Sequence, residues 1–200
     1  MGVFSVYATL KENSFPFINS INYCTDRLTE KAIEAYNNNE FGEKILLLTQ
    51  PSQQKQRYAD SLQLMTPAAY SLFKKWENTT VGKRGKDYRS YKREIANKLI
   101  EKTERFFPGI TESIAHINIS SPLTYRDYTG SRKGSIYGTK KDSNNYILTN
   151  ISHKTKIPNL YIGGQSANIH GVHGAAAGAY MLCSDILGAD YLKKKIIKES

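Results

Sequence analysis

The sequence predicts an α+β protein, an antiparallel or mixed sheet carrying helices and closed by a C-terminal strand, glycine loop and helix. Three observations predict it. Val3–Leu10, Lys44–Thr49 and Ile114–Ile119 are short alternating or continuous apolar runs, the signature of strands. Tyr88–Phe106 repeats its apolar residues with a helical period. Leu160–Gly188 passes from an apolar triplet through a loop with four glycines into a run of small residues.

In chain order, Val3–Leu10 opens the sheet almost at once, as if the chain began inside it. Lys11–Pro16 turns, and Phe17–Cys24 is expected to return as a hairpin partner. Thr25 or Asp26 caps a helix to about Tyr36, which Asn37-Asn38-Asn39 ends. Lys44–Thr49 is a buried strand leaving through Gln50-Pro51-Ser52. Pro67 opens a helix through Trp76, since proline is tolerated in a first turn. In Tyr88–Phe106 the stripe is Tyr91, Ile95, Leu99 and the stem of Lys102, and Pro108-Gly109 ends the helix. After the Ile114–Ile119 strand, Ser121-Pro122 starts a short helix or turn to Tyr128, and Gly130, Gly134 and Gly138 mark an irregular loop. Tyr146–Thr149 reads as a small strand, Asn159–Gly163 as another, and about Val172–Leu187 as the closing helix. The expected organisation is a lobe over 1–120 and a C-terminal segment over 121–200, packed as one unit.

Forty per cent hydrophobic and 11% aromatic residues make a folded protein rather than a disordered one. Fourteen tyrosines against seven phenylalanines suit half-wet clefts, because the ring is buried while the hydroxyl seeks a partner. The two cysteines, Cys24 and Cys183, build no disulfide framework or Cys-rich metal site, which points to a reducing, cytoplasmic setting. Met1-Gly2-Val3 leads into a strand pattern and not a secretory leader, and no apolar run reaches the roughly 18 residues of a membrane span.

The net charge of +10 is concentrated in Lys83–Arg105 and in the tail Lys193, Lys194, Lys195, Lys198. Asp87, Glu94, Glu101 and Glu104 interleave the first cluster, as in a solvated helix face laced with short-range pairs. The competing class is a non-catalytic basic module. Tyr88, Arg89, Tyr91, Lys92 and Arg93 mix rings with cations as single-strand binders do, but the two tyrosines share a stripe with Ile95 and Leu99 that suits a core, so nucleic acid is not the expected partner. The tail Tyr191–Lys198 mixes apolar and basic residues, as a peripheral contact with an anionic membrane requires, or ends as a frayed terminus. His170 and His173, with His116 and His153 elsewhere, lack converging Cys or carboxylate company, so no metal site is expected.

Chemistry enters at Leu160–Gly188. Gly163-Gly164, Gln165, Gly171 and Gly174 form a loop without bulky aromatics that leads into Ala175-Ala176-Ala177-Gly178-Ala179. A helix N-terminus offers unpaired N–H donors and the positive end of its dipole, and small residues there let a planar or anionic ligand reach the backbone. The same small face also serves tight packing on a neighbouring element.

This order of parts resembles the C-terminal FAD signature of the phytoene desaturase, carotenoid isomerase and retinol saturase flavoproteins, relatives of the amine oxidases. Ser121-Pro122-Leu123-Thr124, with Gly134-Ser135-Ile136-Tyr137-Gly138, is similar to the stretch that precedes the last strand in that family. The resemblance implies FAD as cofactor, with Gly163, Gly164 and Gln165 beside its ribityl chain and pyrophosphate. The backbone of Gly171, Val172, His173, Gly174 and Ala175 then faces the pyrimidine end of the ring. Tyr137 and His173 are the residues it places near the flavin, and it assigns no acid or base. The family commonly has an acidic residue where Gln165 stands; a Gly-Gln pair is similar to the retinol saturase branch. The implied reaction is desaturation, saturation or isomerisation of an apolar, polyene-like small molecule. The chain has no GxGxxG dinucleotide fingerprint. It is therefore expected to be the C-terminal, mostly substrate-binding part of such an enzyme, partnered by a Rossmann-type half and inactive alone.

Overall fold

A computed structural model describes residues 1–26, 42–51, 57–139, 141–167 and 169–199, the side chains of 146 and 197–199 excepted. The helix expected between Asp26 and Tyr36 lies outside the described residues. The chain divides into two compact units, Met1–Ile136 and Tyr137–Ser200.

The first unit is built on a five-stranded sheet in the order β2-β3-β4-β1-β5, with every pairing antiparallel. The strands are β1 (Val3–Leu10), β2 (Asn22–Cys24), β3 (Ile45–Pro51), β4 (Ala59–Pro67) and β5 (Ile114–Ser120). β1 sits between β4 and β5, pairing Val6 with Leu64 on one side and with Ile119 on the other. The expected hairpin of β1 with Phe17–Cys24 does not form. Only Asn22–Cys24 is extended, and it pairs with β3 at the far edge. β4 takes the place beside β1 instead, with Leu62, Leu64 and Thr66 alternating into the interior.

That alternation gives the sheet two unlike faces. Phe4, Val6 and Ala8 of β1, Ile45 and Leu47 of β3, and Leu62 and Leu64 of β4 fill the core. Helix α1 (Gly85–Glu104) buries Tyr88, Ile95, Ala96, Leu99, Ile100 and Thr103. The buried stripe is thus rotated from the expected one: Tyr91 is half-buried, and Lys102 reaches outward to the Gly42 carbonyl and Glu43. A 3-10 helix (Tyr70–Trp76) adds Phe73 and Trp76. Phe4 stacks on Phe73, which meets Tyr91 edge-on, and Trp76 packs against both Tyr88 and Tyr91. Tyr88 is therefore core, 5% exposed, and not presented for base stacking. The charged side of α1 carries an i,i+4 pair, Glu94–Lys98 at 2.7 Å.

A single turn, α2 (Ile110–Ser113), leads into β5, and α3 (Pro122–Thr129) follows it. Ser121 caps α3: its hydroxyl accepts the Leu123 N–H while Thr124 Oγ1 accepts the Ser121 N–H, a reciprocal box with proline in the first turn. The first unit runs on to Ile136 because the segment after α3 returns to the chain start. Gly2 bridges Ser135, the Ile136 N–H reaches the Met1 carbonyl, and Gly134 lies where a Cβ would sit 1.8 Å from the Pro122 carbonyl oxygen.

In the second unit Tyr146–Thr149 is a helical turn, α4, and not a strand. Thr149 Oγ1 donates to the Asn145 carbonyl and accepts the Asp142 N–H, which closes that turn locally. The expected strand at Asn159–Gly163 is reduced to one bridge, Lys154 with Tyr161. Helix α5 (Gly171–Leu187) appears where the small residues place it, and α6 (Ala189–Glu199) makes the expected frayed tail helical. Among the described residues no helix is long and apolar enough to cross a membrane.

Candidate functional site

In the second unit the site is a loop bent around a helix start. Gly164 adopts φ +93°, and its carbonyl accepts the Ala167 N–H in a tight turn. Ala167 is fully buried, and Lys141 Nζ donates to its carbonyl at 2.8 Å and to that of Thr149 at 3.3 Å. Gly138 packs on this turn so closely that a Cβ there would meet Ser166 Cα at 2.6 Å. The Gly-x-x-Tyr-Gly stretch thus owes its two glycines to close backbone approaches, Gly134 in the first unit and Gly138 in the second.

Beyond the turn, Gln165 Oε1 accepts the Gly171 N–H at 3.4 Å. The N-cap residue His170 supplies no side-chain bond, and its buried Nδ1 has no partner among the described residues. By helix geometry the N–H groups of Val172 and His173 also lack partners within α5. Both residues are exposed, Val172 by 86%, and no acidic side chain occupies the first turn. Tyr137 lies beside this end, its ring centroid 5.4 Å from that of His170.

The small residues divide by role. Gly174 is buried, and a Cβ on it would come within 2.1 Å of the Ile169 carbonyl oxygen. Gly178 is buried against His153, whose Nδ1 is 3.1 Å from the Ile162 carbonyl. Gly164 and Gly171 leave open space instead, a Cβ on Gly163 would meet only Leu182 Cδ1 at 3.8 Å, and Ala176 and Ala177 are exposed on the far side of the helix. Packing therefore requires glycine at Gly174 but not at Gly178, where a Cβ would make an ordinary contact, and ligand access suits Gly163, Gly164, Gly171, Val172 and His173. A buried imidazole nitrogen with no partner among the described residues, two N–H groups with none within the helix, and the open Gly164 and Gly171 suit an electron-rich ring edge or an anionic group. Among the described residues no group of three or more His, Cys, Asp or Glu side chains is arranged to hold a metal.

The first unit by itself carries a second surface, on the other face of its sheet. Leu46 and Leu48 of β3 and Gln63 and Met65 of β4 are half-buried there, in register with one another and with Ser5 and Tyr7 of β1. Tyr125 from α3 reaches over this face, its hydroxyl 2.8 Å from Ser5 Oγ and 3.1 Å from the Tyr7 hydroxyl. Burial pushes the Tyr125 phenol up to about 12. The face is thus apolar toward β3 and lined with hydroxyls toward β1, a surface that sequence reading missed because β4 was not recognised.

No family model matches the chain. Among curated proteins it is 31% identical over 130 residues to the all-trans-retinol 13,14-reductase of Macaca fascicularis, covering 64% of this chain and 21% of that protein. To the human protein of the same name it is 30% identical over 127 residues, covering 62% and 21%. The chain resembles the retinol saturases. That agrees with the family indicated by the glycine loop and by Gln165. A Danio rerio protein named inactive all-trans-retinol 13,14-reductase also matches, 28% identical over 121 residues, so similarity to this chain does not separate active from inactive relatives. The chain spans about a fifth of the length of the curated relatives it matches.

Proposed function

We propose that this chain is the C-terminal part of an FAD-dependent oxidoreductase acting on an apolar, polyene-like substrate by saturation, desaturation or isomerisation. The observation that carries the reading is the start of α5: a buried His170 Nδ1 with no partner among the described residues, and Val172 and His173 N–H groups with no partner within the helix, beside the open Gly164 and Gly171. FAD, when bound, supplies hydride transfer. The chain's part is to hold it. Gly163, Gly164 and Gln165 line its ribityl side, and Gly171, Val172, His173, Gly174 and Ala175 give it the helix terminus. Donors and the dipole there favour negative charge on the ring. Tyr137 and His173 are the side chains nearest the ring in this reading. Within the first unit, the sheet face of Leu46, Leu48 and Met65 offers an apolar surface, with the hydroxyls of Tyr7 and Tyr125 at its polar side.

The ADP half of the cofactor needs a Rossmann-type partner segment, since none of the 200 residues forms GxGxxG. The unit after Tyr137 also exposes Ile147, Leu148 and Val172 by more than 80% each, apolar area suited to cover by such a partner. Flavin retention tests the reading. The chain purified alone is expected to carry little FAD, and the chain co-expressed with the N-terminal remainder of a retinol saturase relative is expected to carry it stoichiometrically. Full flavin absorbance in the lone chain rules out the partner requirement, and no flavin in either preparation rules out the site.

Helix α6 exposes Tyr191, Ile196 and three consecutive lysines, which supports a peripheral contact with anionic lipid. Co-sedimentation with anionic vesicles that survives truncation after Gly188 would exclude that role for α6.

A further inference from the structure

The loop before α1, Val81-Gly82-Lys83-Arg84-Gly85-Lys86, holds two glycines at φ 78° and 82° and places Arg84 at the helix N-cap. A cation is the wrong charge for a helix N-terminus, where the dipole favours anions. Arg84 is nonetheless 8% exposed. Its Nη2 donates to the Thr79 carbonyl and to the Asp127 carboxylate, and its guanidinium lies 5.3 Å from the Tyr88 ring centroid. Its Nε has no partner among the described residues. A buried donor left unpaired costs about 1–3 kcal/mol and calls for a missing acceptor.

Arg84 lines a cavity of about 250 Å³ together with Arg89, Lys92, Gly85, Thr124 and Tyr128, among others, and no carboxylate is among its lining residues. Lys92 sits 5.1 Å from the Tyr88 ring centroid and donates to the Ile119 carbonyl at 2.7 Å. Burial, and then the Arg84 charge, push its ammonium below the usual lysine range. Of the nearby acids, Asp127 pairs with Arg84 and Arg126 without lining the cavity, and Asp87 bonds Trp76 Nε1 and Lys75, so Arg89 and Lys92 face it without a carboxylate. The Arg84 side chain makes no capping bond to α1, and the Asp87 carboxylate in the first turn bonds the Tyr88 backbone.

We propose that this cavity binds a phosphate-type oxyanion, held by the Arg84 Nε–H, Arg89, Lys92 and the first N–H groups of α1. Arg89 and Lys92, with the Nε–H of the Asp127-paired Arg84 and a helix terminus around one small space, suit a tetrahedral oxyanion. The group belongs either to a free phosphate or phosphate ester, or to a lipid headgroup. The cavity lies wholly within Met1–Ile136 and stands whether or not the flavin reading holds.

The test uses the whole chain and its single tryptophan. Trp76 packs 5.4 Å from Tyr88 and bonds Asp87 in the first turn of α1, so its fluorescence reports on the cavity wall. Inorganic phosphate, titrated against sodium chloride at matched ionic strength, is expected to give a saturable change. Arg89→Gln and Lys92→Gln are each expected to weaken it on the order of tenfold, the scale of one charge-assisted hydrogen bond. Lys98→Gln, on the same helix but outside the cavity, leaves it unchanged. Phosphatidic acid vesicles against pure phosphatidylcholine vesicles form the second arm. A response to phosphate that depends on Arg89 and Lys92 supports a free ligand, and the same dependence seen only with phosphatidic acid supports a headgroup. No saturable response in either arm, a response indifferent to both substitutions, or binding of a single-stranded oligonucleotide alone overturns the proposal.

Discussion

Gln165 and Gly171 close the glycine loop on itself, the amide oxygen of the first accepting the backbone N–H of the second at 3.4 Å. Gln165 thus acts as a remote cap for α5. Gln165→Ala is expected to cost about 0.5–1 kcal/mol of local stability, in the range of a lost cap. Gln165→Glu keeps the acceptor and adds a charge the dipole favours, a gain of about 0.3–1 kcal/mol at neutral pH that fades below about pH 4. Amide hydrogen exchange at the start of α5 measures both.

Gly174 and Gly178 are expected to respond oppositely to alanine. At Gly174 the added carbon meets the Ile169 carbonyl at 2.1 Å, and backbone must move, at a cost of about 1–3 kcal/mol. At Gly178 the nearest atom is His153 Cε1 at 3.7 Å, an ordinary contact. Helix propensity there favours alanine by up to about 1 kcal/mol. Urea denaturation of the two variants separates them; equal effects would contradict the assigned roles.

Asp127 governs the acid limb of stability. Burial alone raises its carboxyl, but hydrogen bonds from Arg84 and Arg126 outweigh it and hold the group below the usual range. A depressed native value gives stability that is present above about pH 4 and lost as pH falls through the native value. Asp127→Ala leaves Arg84 buried and uncompensated, and should cost about 3 kcal/mol or more. Asp127→Asn should flatten the decline in melting temperature below pH 4.

Tyr125 provides an alkaline signature. Its phenol, pushed up to about 12, favours the native state while neutral, so its contribution holds below about pH 10 and is lost as pH rises toward 12. Ultraviolet titration should show a late-ionising tyrosine that disappears in Tyr125→Phe. The same substitution removes the partner of the buried Ser5 hydroxyl, a loss of about 1–2 kcal/mol.

Much of this fold was legible in local sequence. β1, β5, α1 and α5 carry their period in the residues themselves, and the Ser121-Pro122-Leu123-Thr124 start of α3 is a capping pattern. β4 was not, because Met65 on its open face and Thr66 in the core reverse the Ser61-Leu62-Gln63-Leu64 alternation, and Pro67 reads as a helix opener. The partner of β2 is a non-local choice that no local pattern specifies. Tyr146–Thr149 has strand-like residues, yet the Thr149 hydroxyl bonds make it a helical turn. In the candidate site the spacing of glycines was readable. Which of them meet a neighbouring backbone was not, since Gly174 and Gly171 look alike in sequence and differ by what lies opposite.

The position of β1 at the interior of the sheet has a consequence for synthesis. It leaves the ribosome well before its partner, since its pairing with β5, Ser5 against Ser120, waits for about 115 further residues. At about 5–20 residues per second that is several seconds or more during which one edge of an apolar strand stays bare. High contact order of this kind slows folding and exposes nascent chains to wrong pairings. Release of a product ending before Ser120 would leave that edge unpaired, so premature termination or proteolysis upstream of β5 should yield aggregates and not a smaller folded lobe.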